Sequence, residues 1–133
     1  MEGKSVMKIK LKLGVEQSKV LINLMTVILV SKKETLIDPL SHFNRIELIT
    51  DFNNLAILVL KLQEKCFSDR KIFSISIDAN YVASFKRLLS KNLFPIHLNM
   101  QVELLQFFTT CEHAIEKANN IIDARSERII FSH

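Results

Sequence analysis

The run Cys111-Glu112-His113-Ala114-Ile115-Glu116 holds the densest set of potential ligands in this chain. On a helix Glu112 and Glu116 lie one turn apart, with His113 three residues before Glu116, so the three could converge on one cation. Helical di-iron sites need Glu-x-x-His and a second matching set, and the chain has neither. Solvated residues flanking an apolar stripe account better for the cluster, and no metal is expected. Glu47 and Asp51 repeat the one-turn spacing beside Leu48 and Phe52. Paired carboxylates do acid/base work where burial drives their pKa values apart; here the spacing reads as a solvated helix face.

His42, His97 and His133 have no serine or cysteine placed for nucleophilic activation. No GxSxG, HExxH, CxxC or GxxxxGK motif is present. Two glycines in 133 residues leave little room for the backbone loops that cradle phosphates. Neither an enzyme nor a cofactor is expected.

The cations are better organised than the carboxylates. Lys8, Lys10 and Lys12 alternate with Met7, Ile9, Leu11 and Leu13, the period of a strand with one buried face. If a second strand pairs with it, Lys71, Ser74 and Ser76 share the outer side, with Lys86 and Arg87 on the helix that follows. Cations beside small hydroxyls can follow a phosphate backbone without reading sequence. The candidate nucleic-acid contacts are therefore Lys8, Lys10, Lys12, Lys71, Lys86 and Arg87. The aromatic side chains on which single-strand binders stack bases are missing, and lysines on an exposed strand also guard against edge-to-edge aggregation.

The elements that must carry these residues follow from periodicity. After Gly14, Val15 to Val30 is a helix apolar around most of its circumference, which predicts burial on several sides. Asp38 and Pro39 supply an N-cap and a first helical position, and the helix they open is expected to run unbroken to about Phe67. Its stripe is Leu48, Phe52, Leu55, Val59, Leu62 and Cys66, widened by Ile49, Ala56 and Leu60. Lys71 to Ile77 is the second strand, and Asp78 can cap the short helix after it. A last long helix, about Met100 to Arg128, carries the stripe Leu104, Phe108, Cys111, Ile115, Ala118 and Ile122. Cys66 and Cys111 fall on these stripes and read as free thiols.

The segments starting at Pro39, PLSHFNRIELITDF, and at Pro95, PIHLNMQVELLQFF, share Pro, Glu, Leu and Phe at the same places. A shift of 64 residues superposes the strands, and one of 56 superposes the long helices, Leu48 on Leu104 through Cys66 on Ile122. Net charge alternates in step, +5, −2, +3 and −2 over residues 1–33, 34–68, 69–98 and 99–133. The expected fold is α+β, predominantly helical, with a strand-helix-helix unit written twice (βααβαα) and a small two-stranded sheet. It forms one domain, 1–133, with repeats 7–68 and 71–130; unrelated elements in the same order are the alternative.

The longest apolar run, Val20 to Val30, is broken by Asn23 and Thr26 and is too short to cross a bilayer. The N-terminus alternates lysines where a secretory signal needs an apolar core. No membrane is expected, and the location is expected to be cytoplasmic. The functional expectation is a small non-enzymatic protein-protein interaction module, such as an adaptor, an inhibitor or an immunity-type protein. It would be homo-oligomeric, with Leu55, Ile57, Leu58 and Leu60 as interface, because the apolar excess of Leu21 to Val30 and of LAILVL exceeds the needs of one helix seam and points to a deep core or to a homodimer interface. The alternative is a sequence-nonspecific nucleic-acid-binding protein that uses the lysine face.

Overall fold

The computed structural model describes residues 7–32, 44–67, 70–91 and 98–131, excepting the side chains of Asn99 and of residues 121–131. Strand β1 (Lys8–Gly14) runs into helix α1 (Val15–Val30). Helix α2 (Arg45–Cys66) is followed by β2 (Ile72–Asp78), α3 (Ala79–Ser90) and α4 (Leu98–Phe131). The chain is a predominantly helical α+β protein with one small antiparallel sheet. Among the described residues no helix is long and apolar enough to cross a membrane.

The sheet pairs Ile9 with Ile77, Leu11 with Ile75 and Leu13 with Phe73 on its inner face, and all six side chains are buried. Two strands alone make a marginal sheet. This one persists because the helices cover that face, and burying each such side chain stabilises by about 1.5–3 kcal/mol. Backbone bonds seal both ends of the ladder, from Val15 N–H to the Lys71 carbonyl and from Ala79 N–H to the Met7 carbonyl, each 2.8 Å. The central pair, Leu11 and Ile75, is also the pair that the 64-residue shift superposes.

Helix α1 occupies the span that its periodicity predicts. Leu21, Leu24, Met25 and Ile28 face the core, but Val27 and Val30 are exposed, so burial is confined to one side of the helix. The helix expected to run unbroken from Asp38 does not. Asn44 is extended (φ −67°, ψ 117°), and its side-chain oxygen accepts from the N–H groups of Ile46 (2.9 Å) and Glu47 (3.1 Å). An asparagine in this geometry satisfies two of the donors that a helix start leaves unpaired, so α2 begins at Asn44. Asp38 and Pro39 lie outside the described residues. Along α2 the stripe of Leu48, Phe52, Leu55, Val59 and Leu62 is buried as its spacing requires, whereas Ile49 and Leu60, expected to widen it, are exposed.

Asp78 caps α3 by accepting from Asn80 N–H at 2.8 Å. Helix α4 buries Leu104 and Cys111 from its expected stripe. Phe107, outside that stripe, is fully buried and packs with Phe85 and Phe108 at ring-centroid distances of 6.1 and 5.5 Å.

Candidate functional site

Alternation along β1 puts Lys8, Lys10 and Lys12 on the outer face of the sheet, exposed, one every second residue. Successive members are therefore about 7 Å apart along the strand. The register sets Lys10 against Ser76 and Lys12 against Ser74, and both serines are exposed. Lys8 stands opposite Asp78, whose carboxylate is engaged as the cap of α3. Lys71 is exposed at the start of β2. Lys8, Lys10, Lys12 and Lys71 form no ion pair with any described residue. No aromatic side chain stands on this face between Lys8 and Gly14 or between Ile72 and Asp78.

The other two expected cations are not part of this row. Lys86 lies 3.7 Å from Glu112 of α4, both exposed, a pair of the kind worth about 0–1 kcal/mol. Arg87 is committed to Asp51. Its Nη2 donates to Asp51 Oδ1 at 2.7 Å, and its Nε reaches both carboxylate oxygens at 3.1 and 3.2 Å. The Ser84 hydroxyl donates to Asp51 at 2.8 Å and accepts from the Asn54 amide at 2.9 Å. The hydrogen bond to Asp51 raises the Arg87 pKa above its ordinary value, against the opposing effect of desolvation.

Asp51 is 0% exposed, so it is not on a solvated helix face. The signal that could have found it is helical phase. Asp51 lies three residues after Leu48 and four before Leu55, inside the apolar arc, where a carboxylate needs a cation and hydrogen bonds. Its neighbour Glu47 stays exposed and meets Lys91 at 3.8 Å.

In the Cys111–Glu116 cluster, Glu112, His113 and Glu116 are exposed, and among the described residues no three His, Cys, Asp or Glu side chains gather as a metal would need. Cys111 is buried, which pushes its thiol up to about 12, with Glu112 adding to the rise. Burial also raises the thiol of Cys66. Both are free cysteines.

Of the four residues expected at an oligomer interface, Leu55 and Leu58 are fully buried in the chain's own core and have no surface to offer. Ile57 and Leu60 are on the outside. With Ile46 and Ile49 they form an exposed apolar stripe on the side of α2 opposite its core stripe, with Asn53 in the middle. Ile46 is 78% exposed and Leu60 61%. Ile46 was not among the expected interface residues, and Ile49 was expected only to widen the core stripe, as was Leu60 besides its place at the interface; their offsets from Leu48 already set Ile49 and Leu60 off the core face.

Among the described residues, two clefts flank the sheet. One, of about 400 Å³, lies between β1 and α4 and is lined by Lys8, Ile9, Lys10, Ala114, Lys117 and Ala118. The other, of about 810 Å³, lies between β2 and the end of α2; Lys12, Glu64, Lys65 and Arg70 give it mixed charge. No family model, no curated protein and no solved structure matches the chain, so function has to be read from these residues.

Proposed function

We propose that this chain is a small non-enzymatic protein-interaction module that pairs with a second copy of itself through the outer face of α2. The observation that carries the reading is the symmetry of that face about Asn53. Two copies of α2 laid antiparallel with Asn53 on the two-fold axis set Ile46 against Leu60 of the second copy, and Ile49 against Ile57 of the second copy. The two Asn53 side chains then meet, and paired amides at one position of an apolar seam fix register. A two-fold interface must be self-complementary in this way.

Arg45 and Glu47 at one end of α2 come alongside Lys61 and Glu64 at the other end of the second copy's helix, so each end offers both signs. A face about 21 Å long falls at the small end of protein interfaces, and association is expected at roughly micromolar concentrations.

Light scattering on a sizing column across about 1–100 µM should give a mass that rises towards the dimer. Ile49→Lys and Leu60→Lys each change an exposed residue, so both variants should keep the wild-type circular dichroism and remain monomeric. Asn53→Leu should tighten association. A wild-type chain that is monomeric throughout, or a dimer indifferent to both lysine variants, sinks the proposal.

A second reading, sequence-nonspecific binding to a nucleic-acid backbone, is favoured by the unpaired row of Lys8, Lys10 and Lys12. It predicts retention on DNA or heparin that falls steeply with salt and disappears when all three are changed to Ser.

A further inference from the structure

The ladder bonds from Val15 to Lys71 and from Ala79 to Met7 fix which residues of β1 face β2. In an antiparallel pair, bonded and non-bonded positions alternate. Ile9, Leu11 and Leu13 therefore turn their backbone N–H and C=O groups towards β2. Those of Lys8, Lys10 and Lys12 point the other way, to the outer edge, where no described residue bonds them. Among the described residues the same three thus supply an open edge and a row of unpaired cations.

We infer that the outer edge of β1 accepts an extended segment of a partner protein as a third strand, a segment in which acidic and apolar residues alternate. Open edges are templates for strand addition. Side chains opposite Lys8, Lys10 and Lys12 share their outer face, where carboxylates form favourable cross-strand pairs. The residues between them turn inward to the cleft of about 400 Å³ beside Ile9, where Ala114 and Ala118 leave room for apolar side chains. Lys117 joins Lys8 and Lys10 as a third cation at that cleft.

A second copy of β1 is a poor occupant, because it would set lysine against lysine. The edge of β2 is a poorer site, since Glu64 stands in the cleft beside it. The inference deepens the reading of the chain as an interaction module, and it is independent of self-association through α2.

The probe is a short, end-blocked peptide alternating valine and glutamate, titrated into the intact protein and followed by fluorescence anisotropy and by hydrogen exchange. On binding, the amides of Lys8, Lys10 and Lys12 should slow by about tenfold or more, while those of Ile9, Leu11 and Leu13 are already held by β2. Methylating one alternate set of the peptide's backbone nitrogens should abolish binding, and methylating the other set should leave it intact. Lys10→Glu should weaken the valine-glutamate peptide by about tenfold and improve binding of a valine-lysine peptide. Ala118→Leu should weaken binding by filling the cleft.

Binding that ignores which nitrogens are methylated, or that leaves the three lysine amides unprotected, overturns strand addition. If a DNA duplex instead produces the larger, salt-sensitive response without that protection, the lysines form a polyanion surface. Leu60→Lys should bind the peptide like wild type, which keeps failure of the edge distinct from failure of the dimer.

Discussion

A 56-residue shift in the sequence lines up the stripes of α2 and α4, yet the two helices meet their neighbours with different chemistry. Where α2 places Asp51, fully buried and clamped by Arg87 and Ser84 of α3, the 56-residue shift places Phe107 of α4, fully buried in a cluster with Phe85 of α3 and Phe108. Helix α3 lies between the two solutions. It carries a cation and a hydroxyl for α2, and an aromatic ring for α4. The contacts that one short helix offers thus distinguish the two long helices chemically. A buried ion pair is a weak source of net stability, but a broken one is costly. An aromatic cluster stabilises directly, through area and ring contacts.

The comparison is tested hardest by removing one charge. The Arg87 side chain is itself 46% exposed, so Arg87→Met, which takes the cation from the buried Asp51 carboxylate, should cost about 1–3 kcal/mol in urea unfolding, whereas Asp51→Leu combined with Arg87→Met should recover most of the loss. A cost below about 1 kcal/mol would make the pair equivalent to a surface contact. On the other side of α3, Phe107→Ala should cost about 3–5 kcal/mol through lost burial and the cavity it leaves, and no second substitution that removes a charge should rescue it.

Cys111 of α4 aligns with Leu55 of α2, and only the thiol can titrate. Its folded pKa of about 12 lies above the ordinary 9.0. The unfolded chain therefore gives up this proton first, and rising pH favours unfolding. The contribution is complete below pH 9.0 and is lost as pH climbs towards 12, by at most about 1.4 kcal/mol per pH unit. Cys111→Ala should flatten this part of the alkaline stability curve, whatever it does to stability at neutral pH.

The two shorter helices, α1 and α3, offer two smaller contrasts. The hydroxyl of Ser18 in α1 is buried with no hydrogen-bond partner, and the 64-residue shift sets Val82 of α3 at that position. Ser18→Ala should stabilise by about 1 kcal/mol, the lower end of the cost of an unsatisfied buried group, measured by the urea midpoint. At the helix starts, Asp78 caps α3, while Gly14 leaves α1 without a side-chain cap. A Cβ at position 14 would approach nothing closer than 3.9 Å, so Gly14→Asp should stabilise by about a few tenths of a kcal/mol, read as a slightly higher thermal midpoint.

Of the candidate surfaces, the lysine row was legible because a strand's side chains alternate whatever it pairs with. Lys8, Lys10 and Lys12 had to share a face once Ile9, Leu11 and Leu13 were buried. The exclusion of Arg87 from that row was not legible. Its partner lies 36 residues away on another helix, and a basic residue in the sequence looks the same whether it faces solvent or a buried carboxylate. The α2 stripe was half legible: LAILVL announced more apolar surface than one seam uses, but only its phase against the core separates Ile57 and Leu60 from Leu55 and Leu58.

The sequence by itself determined the local elements: both strands to within a residue, the bounds of α1, the Asp78 cap and the core stripe of α2. These depend on periods of two and 3.6 residues and on hydrogen bonds between near neighbours, which any short stretch carries within itself. Tertiary structure alone decided which faces were covered, which charge met which, and which backbone groups were left at an edge. Those outcomes depend on where distant segments pack, and a helix's phase fixes which residues share a face without fixing what lies against it.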